Sequence, residues 1–223
     1  AQNVSQARLE QQIAVLNADF NATNADFVNV PALFQPVAAN VGIRFVIEAV
    51  NRKKTTKSSF STNNAVKKSG SGGLNPTNPT QFLNIWVCNL GNGILGYAQF
   101  PGGASATDGV VLLHSTLPGG SAAPYNKGRT ATHEVGHYLN LRHIWGDATC
   151  GSDQVSDTPT HNTANYGCPA AGHKSTCSGT PVEMTMNYMD YSDDACMYMF
   201  SNGQKARILS VFAANGPRSA MGM

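Results

Sequence analysis

His133 and His137 stand four positions apart in the run THEVGHYLNLRH, residues 132–143. On an α-helix that spacing puts both imidazoles on one face, one turn apart, within reach of a single zinc ion. Glu134 follows the first histidine directly, so its carboxylate falls at the edge of such a site. There it can meet a zinc-bound water without ligating the metal. His143 lies six positions beyond His137. On a continuous helix it is rotated roughly 240° away, at ~100° per residue, and cannot share the ion. Convergence of all three imidazoles requires the helix to stop near position 140 and the chain to turn back, and a residue in the left-handed conformation is the simplest stop. Asn140 occupies that place, and asparagine tolerates φ > 0 better than other non-glycine residues.

Three neutral imidazoles and a water leave zinc with an open fourth position, the catalytic and not the structural arrangement. Zinc brings the pKa of its water to around 7. Glu134 is then the general base, taking that proton as hydroxide attacks a peptide carbonyl and handing it to the departing amine. No G-x-S-x-G elbow occurs in the chain, so a serine mechanism has no support. A module that keeps such a metal site without turnover is the alternative. The intact Glu134 beside the histidines argues against it, because a silent relative is expected to lose the base.

The elements that must position this site are unevenly legible. Ser5 to Asp19 reads as an amphipathic helix capped by Ser5, expected to pack on a sheet. Ile43 to Val50 and Phe82 to Val87 read as strands, with Lys53 to Phe60 a third and Thr62 to Lys68 a short helix. The stretches 69–80 and 91–103 read as loops. Residues 109–115, GVVLLHS, are continuously apolar and read as a strand. After Trp145 the chain turns rich in Gly and Pro, and helical pattern returns only at Ala206 to Ala213, begun near Ser201.

At 223 residues and 41% apolar content one compact domain is expected, with an upper part over about 1–143 and a lower part over about 144–223. The net charge of +2 makes no general case for nucleic acid. Arg52, Lys53, Lys54, Lys57, Lys67 and Lys68 cluster in one segment that reads as a solvated face. Asp147, Asp153, Asp157, Glu183, Asp190, Asp193 and Asp194 share theirs with Lys174 alone. No apolar run of about eighteen residues exists, so no membrane span is expected. The chain opens at Ala1 without a basic-apolar leader, as a processed form would. Cys150, Cys168, Cys177 and Cys196 follow the histidine motif without any C-x-x-C pair, which favours two disulfides over a second zinc site. Four cysteines permit three pairings, and disulfides imply an oxidising compartment. Cys88 is left as a buried free thiol.

HEVGHYLNLRH resembles the zinc signature of the metzincin metallopeptidases, and MNYMDYSDDAC resembles their Met-turn in the form used by the pappalysin family, including its bacterial cytophagalysin-like and ulilysin-like branch. The likeness runs from about Phe82 to Phe212 and departs at Asn140, where the family usually has glycine. It implies an α+β metzincin-like fold, with an upper twisted mixed sheet and helices, a lower irregular disulfide-stapled subdomain and a cleft between them. It further implies a secreted zinc endopeptidase, expected as a monomer, acting on protein or peptide substrates. Met189 would be the methionine beneath the zinc, and Tyr191 the tyrosine that faces the metal and stabilises the transition state. Residues 109–115 would form the sheet's edge above the cleft, where an extended substrate pairs. The implied disulfides are Cys150 with Cys177 and Cys168 with Cys196.

The resemblance also implies calcium near residues 151–160. Asp153, Val155 and Thr158 are the leading ligands there and Asp157 a weaker one, since calcium takes carboxylate, carbonyl and hydroxyl oxygens together. The segment after the Met-turn is implied to line the pocket for the residue following the scissile bond. A carboxylate there, from Asp193 or Asp194, would pair with arginine or lysine, arginine leading because its planar fork meets a carboxylate through two hydrogen bonds.

Overall fold

The structure, a computed structural model, describes residues 3–221 of the 223. Helix α1, Gln6–Phe20, begins where the Ser5 side chain accepts a hydrogen bond from the Arg8 N–H at 3.4 Å. Its apolar stripe of Leu9, Ile13, Leu16 and Phe20 repeats at helical spacing, and the last two are fully buried. The main neighbour of this stripe is a helix and not a sheet: α1 lies against α2, Arg129–Tyr138. Gln12 of α1 donates to the Gly128 carbonyl at 3.0 Å, just before α2 starts.

The residues expected as a strand at Ile43 to Val50 run without ladder pairing. Their side chains still alternate, with Ile43, Phe45 and Ile47 half-buried. The backbone is held instead by an asparagine of α1 and the one that follows its last residue: Asn17 exchanges hydrogen bonds with Phe45 at 2.9 and 2.7 Å, and Asn21 donates to the Ile43 carbonyl at 2.8 Å. An alternating pattern reports a half-buried extended chain and does not say what satisfies its polar groups. Lys53 to Phe60 is likewise no strand, Phe60 alone bridging to Leu90. The short helix shrinks to a single 3-10 turn at Ala65–Lys67.

A mixed three-stranded sheet forms from β2 (Ile85–Cys88), β3 (Gly96–Ala98) and β4 (Val110–Leu113), in the order β2-β4-β3. β2 runs parallel to β4, and β3 antiparallel to it. Strand β4 is therefore central, which corrects the expectation of an edge at 109–115. A strand covered on both faces reads as a continuous apolar run for that reason. The edges are β2 and β3; β3, the edge beside Glu134, lies inside a stretch that reads as loop because Gly96 and Gly103 bracket only a few residues. A second antiparallel pair joins β1 (Ala38–Ala39) to β5 (Phe200–Ser201), and β5 leads directly into α3 (Asn202–Ser210). Ser201 and Gln204 close a capping box at that start.

One large core gathers Leu16, Phe20, Leu112, Val135, Tyr188, Met189 and Phe200, and a smaller one lies around Phe60, Trp86, Leu90 and Val111. Lys67, expected on the solvated basic face, is buried at the smaller core. Its ammonium donates to the Thr107 and Gly109 carbonyls at 2.7 and 3.3 Å and lies 5.4 and 5.1 Å from the Trp86 and Tyr97 rings. Burial pulls its pKa down to about 8. From Trp145 the chain is mostly irregular, stapled by Cys150–Cys177 and Cys168–Cys196. Cys88 is the buried free thiol of β2, its pKa raised to about 12 by burial.

Candidate metal centre

Helix α2 starts without a capping side chain of its own, because Gly128 occupies the cap position at φ 93°. Asp194 supplies the missing acceptor: its Oδ2 takes the Lys127 N–H at 2.7 Å and the Arg129 N–H at 3.2 Å, at the positive end of the helix. That carboxylate is 1% exposed and already satisfied, which removes Asp194 from the candidate substrate pocket. Asp193 remains, half-buried, with no hydrogen bond to its carboxylate among the described residues. Arg129 ties the same helix end to its surroundings through Asp26, at 3.0 and 3.1 Å, and Asp19, at 3.0 Å. It also donates to the Met197 carbonyl.

At the other end α2 stops as the histidine spacing requires. Asn140 is left-handed at φ 76°, its N–H donates to the His137 carbonyl at 2.9 Å, and the Leu141 N–H reaches back to Gly136 at 2.9 Å. The return brings His143 to the site, so that the ligating atoms of His133, His137 and His143 lie within 4.8 Å of one another. The His137 Nε2 is 3.1 Å from both of the other Nε2 atoms. Each Nδ1 has an acceptor: the Tyr188 carbonyl for His133 and the Leu141 carbonyl for His137, both at 2.7 Å, and the Asp147 carboxylate for His143 at 2.5 Å. Those partners put the proton on Nδ1 and leave the three Nε2 lone pairs facing one another. Burial, followed by the neighbouring rings, holds His133 well below the usual histidine range and His137 at about 4. Converging bare lone pairs repel unless a cation stands among them, so the donor set fits a zinc ion.

Glu134 lies on the same face, buried, its carboxyl pushed up to about 8 by burial. It rests against the edge strand at Gly96, where a Cβ would come within 2.9 Å of its Cγ and 3.1 Å of its Oε1. Met189 is fully buried beneath the helix, and a Cβ on Gly136 would stand 2.5 Å from its sulfur. The Tyr191 hydroxyl is 3.1 Å from the His143 Nε2. Trp145 stacks on the His143 ring at 4.3 Å and 6° and meets Tyr191 edge-on at 4.7 Å. Gly96, Gly136, Trp145 and Asp147 had no place in the expected site. Gly136 alone carried a signal, since glycine inside a helix costs about 1 kcal/mol against alanine and so calls for a packing reason.

In the acidic loop, Asp153 is buried and accepts from the Thr158 hydroxyl at 2.9 and 3.0 Å and from the Val155 N–H at 3.0 Å. The Val155 carbonyl oxygen also lies 2.9 Å from that hydroxyl oxygen. These oxygens converge, and burial raises the Asp153 pKa. Asp157 does not join them: its two oxygens serve the Ser201 hydroxyl at 2.6 Å and the Gly203 N–H at 2.7 Å at the start of α3.

Residues 75–213 match the family Peptidase_M43, described as pregnancy-associated plasma protein-A. An extracellular metalloprotease of Verticillium alfalfae is 36% identical over 218 residues, 94% of this chain and 70% of that protein. One of Pyricularia oryzae is 34% identical over 220 residues, 94% of this chain and 68% of its own length. Among solved structures, mature mirolysin of Tannerella forsythia in complex with a cleaved peptide superposes with a TM-score of 0.93. It is 43% identical, and the match covers 98% of this chain and 89% of that one. No helix among the described residues is long and apolar enough to cross a membrane.

Proposed function

The chain belongs to the Peptidase_M43 family and is a metalloendopeptidase of α+β fold; on that premise we propose that its metal is zinc, held by His133, His137 and His143, and that Glu134 is the general base. The convergence of the three Nε2 atoms beside a buried glutamate carries this reading. Zinc, when bound, supplies the Lewis acidity that makes water a nucleophile near neutral pH and polarises the scissile carbonyl. Glu134 takes the proton of the attacking water and delivers it to the departing amine. The Tyr191 hydroxyl, aimed into the site, donates to the oxygen that gains charge in the transition state. Met189 forms the apolar floor, with Trp145 and Asp147 holding His143.

Peptide substrate pairs with the free edge of β3, adding a strand through backbone hydrogen bonds. Asp193 lines the pocket for the residue after the scissile bond and selects arginine, then lysine. An apolar side chain there leaves the carboxylate unpaired, at a cost of about 1–3 kcal/mol or more. One catalytic domain spans residues 1–223, with the cleft between an upper part to about 143 and a lower part beyond. It works as a secreted monomer, with calcium on Asp153, Val155 and Thr158. Relatives named extracellular and the two disulfides support secretion.

The test is digestion of denatured protein followed by mass spectrometry of the new termini. Cuts before Arg and Lys, abolished by a chelator and restored by zinc, are expected. A profile led by Leu or Phe after the cut, or one that Asp193→Asn leaves unaltered, contradicts the pocket assignment. No cleavage by the zinc-loaded protein contradicts the enzyme and favours a silent binding module.

A further inference from the structure

Beyond the zinc and the Asp193 pocket, the geometry points to a second selective contact: Phe100 forms the apolar wall that receives a substrate side chain on the amino-terminal side of the scissile bond. The side assignment rests on the proposed role of Asp193. Along β3 successive side chains face opposite ways. Gly96 faces Glu134, whereas Tyr97 turns the other way into the smaller core, with the Lys67 ammonium 5.1 Å from its ring. Phe100, two residues past the end of β3, comes to the zinc-ligand side, its ring centroid 5.2 Å from that of His137. Phe100 nevertheless stays 43% exposed, so it is covered on the His137 side and open to a ligand on the other.

Its position is fixed by its neighbours. The Gln99 N–H donates to the Gly109 carbonyl at 3.1 Å, its side-chain amide donates to the Ala104 carbonyl at 2.9 Å, and its Oε1 accepts from the Thr107 hydroxyl at 2.6 Å. The order along the cleft follows from α2. Asp194, and with it Asp193, lies at the helix start beside Lys127 and Arg129. His137, under Phe100, is about 12 Å further along at ~1.5 Å per residue, and Glu134 falls between the two. With the residue after the cut at the Asp193 end, the residues before it extend toward Phe100. An exposed aromatic face at that point takes an aromatic or large aliphatic side chain, and such a contact changes relative rates by up to roughly tenfold.

A library of peptides varied on both sides of one Arg-directed cut tests this. The expected result is a preference for Phe, Tyr or Leu over Gly before the cut. In Phe100→Ala that ratio should fall by about five- to tenfold, with zinc per chain and the profile after the cut unchanged. A flat wild-type profile on that side overturns the proposal, and so does an equal ratio in wild type and variant. Should Phe100→Ala lose zinc, Phe100→Leu keeps an apolar cover on His137: a reduced Tyr-to-Gly ratio with zinc intact supports the contact, and an unchanged ratio overturns it. A missing arginine preference together with a Phe100-dependent ratio breaks the Asp193 reading and leaves this contact standing.

Discussion

At the scale of single residues, the metal centre depends on different supports for its three ligands. Helix α2 fixes His133 and His137 by its own geometry, with backbone carbonyls on their Nδ1 atoms. His143 sits on irregular chain and is held by the Asp147 carboxylate, the Trp145 face and the Tyr191 side chain. Outer partners of this kind typically change metal affinity by ~10–100-fold. Asp147→Ala should therefore weaken zinc binding by about that factor with the fold retained, as read by competition with a chromogenic chelator. Affinity equal to wild type would show that Asp147 does not position His143. The histidines themselves were legible because a metal demands fixed residue types at fixed spacing. Asp147 was not, since an aspartate four residues after a histidine becomes a partner only through the left-handed turns at Gly146 and Asp147, φ 65° and 58°.

At the scale of elements, α2 is held by groups distant in sequence. Asp194 caps its start across 65 residues or more, and Arg129 anchors it to Asp19 and Asp26. Asp194→Ala leaves the Lys127 and Arg129 N–H groups without that acceptor and should cost about 1–2 kcal/mol in urea unfolding. The residue preference after the cut should not change, and a selective loss of cleavage before Arg would return Asp194 to the pocket. Lys67 gives a pH test of the small core. Its folded pKa of about 8 lies below the ordinary 10.5, so between those values the unfolded chain binds more protons. Stability contributed by this site therefore rises with pH across that window. The unfolding free energy of wild type minus that of Lys67→Met should become more favourable from pH 8 to pH 10, and a constant difference contradicts a buried ammonium. The capped helices α1 and α3 were legible from local chemistry. Strand β3 and the unpaired run at 43–50 were not, because pairing is decided by partners that no local pattern names.

Across the whole molecule, ordered elements concentrate above the zinc ligands, while the acidic, disulfide-stapled stretch below them is mostly irregular. The lower part still determines the site: it supplies the Tyr188 carbonyl to His133, Met189 beneath Gly136, Tyr191 beside His143 and Asp194 to the helix start. Its irregular course and two disulfides were legible from the Gly- and Pro-rich chain and its four cysteines, whereas the Met-turn and the cysteine pairing were legible only through resemblance, since such chain has no periodicity from which to read a fold. Peptide hydrolysis by the proposed route depends on Glu134 acting as a base and not as a ligand or a packing residue. Glu134→Gln preserves size and one acceptor oxygen, turns the other into an NH2 donor and removes the basicity. Zinc per chain and the rate of cleavage of an arginine-containing peptide, measured on the same preparation, decide the point. The predicted result is one zinc per chain in both proteins with a rate loss of about 10²–10⁴-fold in the variant. A variant that keeps its zinc and cuts at the wild-type rate would contradict it.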